Sequence, residues 1–142
     1  MIRSRIFASV LLILCLAINL AIRFPPNRQD IKLPNVIKDC LPRDASQVVF
    51  LYGNISAGCP VGFYLDSIKQ DKTALIVVPA EMTDIDVANL KHAFALQASI
   101  IKGMDSCSAF LKEVAEKEKK DDWKANVIIE LKNGEVVRIL FR

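Results

Sequence analysis

Four cysteines are the residues of this chain best suited to chemistry: Cys15, Cys40, Cys59 and Cys107. Cys15 lies inside an uncharged apolar run near the N-terminus, so three thiols remain for the rest of the chain. In an oxidising compartment, three thiols form at most one disulfide and leave one thiol over. Thiol chemistry is therefore the first class of function to consider.

Cys59 stands directly before Pro60, at the predicted start of a helix. The unpaired backbone N–H groups and the positive end of a helix dipole favour a thiolate there, and a thiolate is the nucleophile. A mixed disulfide at Cys59 would need a resolving thiol from Cys40, Cys107 or another molecule. The alternative interpretation is that Cys59 is a packed small residue or forms a structural disulfide with Cys40 or Cys107.

Other chemistry is poorly supported by the remaining residues. The cysteines at positions 40, 59 and 107 are 19 and 48 residues apart, which matches no zinc signature, and His92 is the single histidine. We expect no metal or cofactor site and place His92 on a helix surface. Helix caps and solvated helix faces are the simpler explanation of Asp66, Asp84 and Asp86.

Two strands and a helix must position Cys59. Residues 47–52 form a continuous apolar run that is typical of a buried strand. A loop containing Gly53, Asn54 and Gly58 follows, and then a helix from Cys59-Pro60 to residue 68. Residues 73–78 predict a second buried strand, which Pro79 ends.

A long helix is predicted after the second strand. Thr83 and Asp86 resemble a capping box, and Gly103 would end the helix. Apolar residues recur between them at helical spacing. They are Val87, Leu90, Phe94, Ala98 and Ile101.

The last part of the chain predicts one more helix and a hairpin. A helix from about Ser106 would bury Cys107, Phe110, Leu111 and Val114, followed by a charged surface segment and Trp123 over the sheet edge. The hairpin consists of residues 126–132 and 135–141. Asn133-Gly134 between them suits a type I′ turn.

The element order of strand, helix, strand, helices and two strands predicts an α/β fold with a right-handed parallel crossover and an antiparallel hairpin. This order, together with Cys59-Pro60-Val61-Gly62 soon after the first strand, resembles membrane-tethered thioredoxin-like proteins over residues 45–142. The resemblance implies that Cys59 occupies the position of the attacking cysteine. Gly62 would replace the second cysteine, and Lys124-Ala125 would replace the family's cis-proline. We also expect Tyr52 and Tyr64 near the Cys59 loop.

The N-terminus predicts a membrane anchor. Residues 6–22 carry no charge and lie between arginines at positions 3, 5, 23 and 28. As a helix they would span about 25 Å, near the lower limit for a bilayer core. We expect an uncleaved signal anchor, a single transmembrane helix over residues 1–23, with a cytoplasmic N-terminus. A cleaved signal and a lipid anchor at Cys15 are the alternatives. Residues 24–44 would form a stalk and a short helix at residues 34–40.

Charge separates the anchor from the rest of the chain. The whole chain has a net charge of +3, but residues 29–142 contain 15 basic and 16 acidic residues and have no excess of positive charge for binding nucleic acid.

The expected function is a membrane-tethered, extracytoplasmic thioredoxin-like module that binds or assembles a protein partner and lacks dithiol oxidoreductase activity. The alternative is a monothiol thiol-disulfide or thiol-peroxide redox protein with Cys59 as the nucleophile.

Overall fold

The computed structural model describes residue 13, residues 31–56 and residues 58–142. The predicted anchor at residues 1–23 and the first part of the stalk otherwise lie outside the described residues. Within the described residues, no helix is long and apolar enough to span a bilayer. Residues 31–56 and 58–142 contain four helices and five strands. In chain order they are α1 (Asn35–Cys40), β1 (Gln47–Phe50), α2 (Pro60–Ser67), β2 (Ala74–Val78), α3 (Asp84–Ala93), β3 (Ser99–Lys102), α4 (Asp105–Lys117), β4 (Val127–Lys132) and β5 (Glu135–Phe141).

The five strands form one mixed sheet in the order β3-β2-β1-β4-β5. β1, β2 and β3 are parallel, whereas β4 is antiparallel to both β1 and β5. The predicted α/β class, the parallel pair β1–β2 and the terminal hairpin are thereby confirmed. Asn133 and Gly134 adopt φ values of 54° and 77° in the hairpin turn, which is the pair of positive angles that a type I′ turn requires.

Helices cover both faces of the sheet, so the fold has three layers. Side chains of β1 alternate between the faces, because successive residues of a strand point in opposite directions. Val48 and Phe50 pack with α1 and α4 on the face that we call the α4 face. Val49 and Leu51 pack with α2 and α3 on the other face, the α2 face. Both faces are apolar and buried, which explains why β1 and β2 read as continuous apolar runs.

The predicted helix over residues 83–103 is wrong beyond Ala93. Its start is confirmed, because Thr83 and Asp86 form a reciprocal capping box. Its end is a Schellman motif, in which Leu96 N donates to Lys91 O at 3.0 Å and Ala95 N donates to His92 O at 3.1 Å. Ala95 holds a φ of 50° in this motif, a conformation that usually requires glycine.

β3 occupies the second part of that predicted helix and adds an edge strand parallel to β2. Gly103 therefore follows a strand and does not cap a helix. Its amide donates to Val78 O at 2.7 Å. The hydroxyl of Tyr52 lies where a Cβ of residue 103 would be, so this position requires a glycine for close approach.

Candidate functional site

β1 lies between β2 and β4 in the sheet, and the connections that lead to these two neighbours cover opposite faces. From β1 the chain runs to β2 across the α2 face, and it returns to β4 after α4, which covers the opposite face. In open α/β sheets, a crevice forms at the carboxyl end of the strands where the connections diverge in this way. A cavity of about 290 Å³ lies at this point. We call it the Cys59 crevice; it is lined by residues 53–54, 59–61 and 124–126 together with Asp122 and Arg142.

Cys59 is the N-cap residue of α2. Its backbone is extended, with φ −97° and ψ 162°, and Pro60 occupies the first helical position, where a missing N–H costs no hydrogen bond. Cys59 as a whole is half-buried and lies within a tight turn. Ser56 N donates to Cys59 Sγ at 3.3 Å, and the Ser56 carbonyl lies 3.0 Å from the same sulfur.

The environment of the sulfur favours the thiolate. The hydrogen bond from the Ser56 backbone lowers the pKa of Cys59 most strongly, burial opposes it, and the backbone N–H groups of Gly62 and Val61 lower the pKa further. The net shift is downward from the ordinary cysteine value. Backbone N–H groups at the start of α2 therefore favour the thiolate form of Cys59.

Asn126 closes the crevice at the start of β4, and the sequence did not single it out. Its side chain is buried, donates from Nδ2 to Asn54 O at 2.8 Å, and accepts at Oδ1 from Gly53 N at 3.0 Å. A Cβ on Gly53 would lie 3.0 Å from Lys124 O, so the two chain segments touch through their backbones. The sequence signal that could have pointed to Asn126 was its position as a polar residue directly before a strand of apolar residues.

The structure does not bring Cys40 or Cys107 to Cys59. Cys107 is completely buried in the α4 face, and Cys40 is exposed at the end of α1, which packs on that same face. Cys59 packs against the α2 face. The sheet therefore separates Cys59 from both candidate resolving thiols, and all three described cysteines are free.

The two tyrosines lie apart. Tyr52 follows β1 and packs against the α4 face, beside the crevice. Tyr64 lies on α2, but its hydroxyl donates to Gln47 at the opposite, amino end of β1. Tyr64 is consequently not part of the Cys59 crevice.

The residues that the sequence placed on surfaces and at caps are found there. His92 is exposed on α3, Asp66 pairs with Lys69 at 3.1 Å, and Asp84 and Asp86 lie in the first turn of α3. Trp123, predicted to lie over the sheet edge, is half-buried and packs against the α4 face.

No group of three or more histidine, cysteine or acidic side chains is arranged to hold a metal ion within residues 31–56 and 58–142. Comparison of the chain with protein-family models, with curated proteins and with solved structures gives no match. The interpretation of the crevice therefore depends on its own geometry.

Proposed function

We propose that this chain is a thioredoxin-like module that binds a protein partner at the Cys59 crevice and lacks dithiol oxidoreductase activity. One observation carries the proposal: Cys59 begins the helix that follows the central strand, inside a crevice, while the other described thiols lie beyond the sheet. Parallel β1–β2 pairing and the closing β4–β5 hairpin support the thioredoxin-like assignment. The segment from α3 to β3 is an addition to the minimal arrangement, and no peptide bond between described residues is cis.

Dithiol chemistry requires a second thiol within reach of the first. Two cysteines can form a disulfide only when their Cα atoms are within about 7 Å. Gly62, three residues after Cys59, has no side chain to contribute, and Cys107 lies on the other face of the sheet. Since no other described cysteine lies on the face of Cys59, a mixed disulfide formed at Cys59 is expected to persist until a thiol from another molecule attacks it.

The crevice has the elements of a polypeptide-binding site. Two of its walls are irregular backbone segments, residues 53–54 and 124–126, which the Asn126 side chain joins. Charges of both signs stand at its rim, from Asp122, Lys124 and Arg142. Such charges would select among protein partners.

The proposal includes attachment to a membrane through residues 6–22, with the α/β domain outside the cytoplasm. The evidence for this attachment is the uncharged run and the arginines that flank it. Membranes from cells that produce the full chain should retain it through alkaline extraction, and a protease added outside the membrane should digest the domain. Release at alkaline pH, or protection of the domain, would contradict the attachment.

The second candidate function is monothiol exchange at Cys59, which the lowered pKa of this thiol favours. The Cys59 thiolate attacks one sulfur of a partner disulfide; the partner S–S bond breaks, a mixed disulfide forms, and the other partner sulfur leaves as a thiolate. A thiol of a third molecule then attacks the partner sulfur and releases Cys59 as a thiolate.

One crosslinking experiment tests the proposal and separates the two candidates. A photo-crosslinking residue replaces Lys124 at the crevice in the full chain, and the control carries it at Lys132, at the far end of β4. The partner-binding proposal predicts a discrete adduct at position 124 alone that persists in Cys59→Ser. An adduct that is lost in Cys59→Ser favours monothiol exchange. Equal adducts at both positions, or none at position 124, would refute binding at the crevice.

A further inference from the structure

The chain enters the α/β domain beside the β4–β5 hairpin. Ile31 and Leu33 are buried in the α4 face, and they line one cavity together with Gly134 and Val136 of the hairpin. Because β4 runs antiparallel to β1, the hairpin turn lies at the amino end of β1. The Cys59 crevice lies at the carboxyl end of the same strand. The chain therefore enters the domain at the end opposite to the crevice.

The length of β4 separates these two ends. A strand rises about 3.3 Å per residue, so the 6 residues of β4 place the crevice about 20 Å from the hairpin turn. The proposed anchor ends at residue 23, and residues 24–30 could cover at most about 25 Å even if fully extended. Turning the crevice toward the lipid would require Ile31 to stand about 20 Å or more above the membrane surface. That orientation would use nearly the whole reach of residues 24–30 and cost conformational entropy.

Exposed apolar side chains are concentrated at the crevice end of the domain. Among the described residues from position 31 onward, four large apolar side chains are exposed: Phe63, Ile85, Met104 and Val137. The first three lie at the starts of α2, α3 and α4. These helices follow the parallel strands β1, β2 and β3, so all three begin at the carboxyl edge of the sheet. Apolar residues that are exposed at one end of a domain indicate a surface for protein contact.

We infer that the crevice end docks a folded, water-soluble protein on the side of the domain that faces away from the membrane. The inference rests on the proposed partner binding and membrane attachment, and it adds the location and kind of the partner. Phe63 and Ile85 belong to helices of the α2 face, whereas Met104 begins a helix of the α4 face. A folded surface can cover side chains on both faces of the sheet, and a single extended segment cannot. Lipid and the membrane-spanning part of a partner lie near the hairpin, away from this surface.

Trp123 can report the orientation, because it is the single tryptophan of the chain and directly precedes Lys124 of the crevice. The full chain is reconstituted in phosphatidylcholine vesicles that contain a dansyl-labelled lipid, and energy transfer from tryptophan to dansyl is measured. The matched variant combines Trp123→Phe with Glu135→Trp, which moves the tryptophan to an exposed position of the hairpin. We expect transfer from position 135 to be about twofold or more that from Trp123, because the hairpin is about 20 Å nearer to the lipid.

The outcomes of this measurement distinguish the orientation from the attachment. Equal transfer from the two positions, or greater transfer from Trp123, would overturn the inference and leave the attachment intact. No transfer from either position would refute the attachment and the inference together.

Serine variants test the docking surface. The readout is the adduct of the photo-crosslinking residue at position 124, measured in cells that produce the full chain. Phe63→Ser, Ile85→Ser and Met104→Ser should each lower the adduct yield about threefold or more, because each removes an apolar contact with the partner. Val137→Ser on β5 is the matched control and should leave the yield unchanged. Unchanged yields in all three variants, or an equal loss in Val137→Ser, would overturn the docking surface. Absence of the adduct in the unmodified chain would refute partner binding itself.

A washing experiment tests whether the partner is water-soluble. Membranes that are washed with concentrated salt before irradiation should lose the adduct at position 124. Adding back the soluble extracytoplasmic fraction should restore it. An adduct that survives washing undiminished would assign a membrane-embedded partner and overturn the inference.

Discussion

The side-chain amide of Asn126 donates to the carbonyl oxygen of Asn54 at 2.8 Å across a sequence separation of 72 residues. The same carbonyl lies 3.8 Å from Cys59 Sγ, so one backbone group contacts both Asn126 and the thiol. We call the two hydrogen bonds of the Asn126 side chain, to Asn54 O and from Gly53 N, the Asn126 clamp. The second hydrogen bond of the clamp, from Gly53 N, fixes the end of β1 against the start of β4. The shape of the crevice therefore depends on Asn126 although Asn126 carries no reactive group.

Asn126→Ala should destabilise the fold by about 2 kcal/mol, because it leaves the Gly53 amide and the Asn54 carbonyl without their partner. Urea unfolding measures the loss. Asn54→Ala is the control, since the clamp uses only the backbone of residue 54, and it should cost less than about 0.5 kcal/mol. Similar losses in the two variants would show that the clamp does not stabilise this part of the fold.

Cys59 should react with iodoacetamide at lower pH in the folded chain than in denaturant, where its pKa is about 8.5. The reason is that backbone N–H groups stabilise the thiolate. Mass spectrometry of the alkylated peptides gives the rate at each pH. Cys107 should be protected until the chain unfolds, because it is completely buried.

The same shift links Cys59 to stability. A folded-state pKa below the unfolded value adds stability above the unfolded pKa, and that stability is lost as the pH falls through the folded value. The difference in unfolding free energy between the unmodified chain and Cys59→Ser should therefore be larger at about pH 10 than at about pH 6. A difference that is independent of pH, or that grows toward acid, would contradict the lowered pKa.

Asp71 joins the amino ends of β1 and β2 through hydrogen bonds from Gln47 Nε2 at 2.9 Å and Thr73 N at 2.8 Å. Burial raises its pKa, but the hydrogen bonds from Thr73, Gln47 and Ser46 outweigh burial and lower the pKa overall. Asp71 therefore stabilises the fold above its unfolded pKa of about 3.9, and this contribution disappears as the pH falls through the lower folded value. Asp71→Asn should lower the denaturant midpoint of the chain at neutral pH. In strong acid the midpoints of the variant and the unmodified chain should be the same. A constant cost would show that the charge is not involved.

Ala95→Gly should stabilise the fold by about 0.5–1 kcal/mol, because residue 95 has a positive φ that an L-residue with a side chain adopts only at a cost. Thermal unfolding measures the gain. The matched control is Ala109→Gly at an exposed interior position of α4, which should lose about 1 kcal/mol. A loss in Ala95→Gly would mean that the strain at this helix end is compensated elsewhere.

Sequence patterns predicted the elements whose signals are local. β1 and β2 followed from apolar runs, α2 from Pro60 after a loop, and the hairpin from Asn133-Gly134. β3 was missed because Ala98 and Ile101 continue the helical spacing of α3 by coincidence, and because Ala95 ends that helix without a glycine. The position of Cys59 at the start of α2 was also inferred from its neighbours in the sequence. Asn126 could not be found in this way, because its partners are distant in sequence and only the folded sheet brings them together.

The most direct test of the account asks whether Cys59 has a partner thiol within its own chain. The folded full chain is incubated with oxidised glutathione, the excess is removed, and peptide mapping by mass spectrometry follows Cys59 over time. The account predicts that Cys59 carries a glutathionyl group that persists until an external thiol is added. Spontaneous loss of that group with formation of a disulfide from Cys59 to Cys40 or Cys107 in the same chain would contradict it.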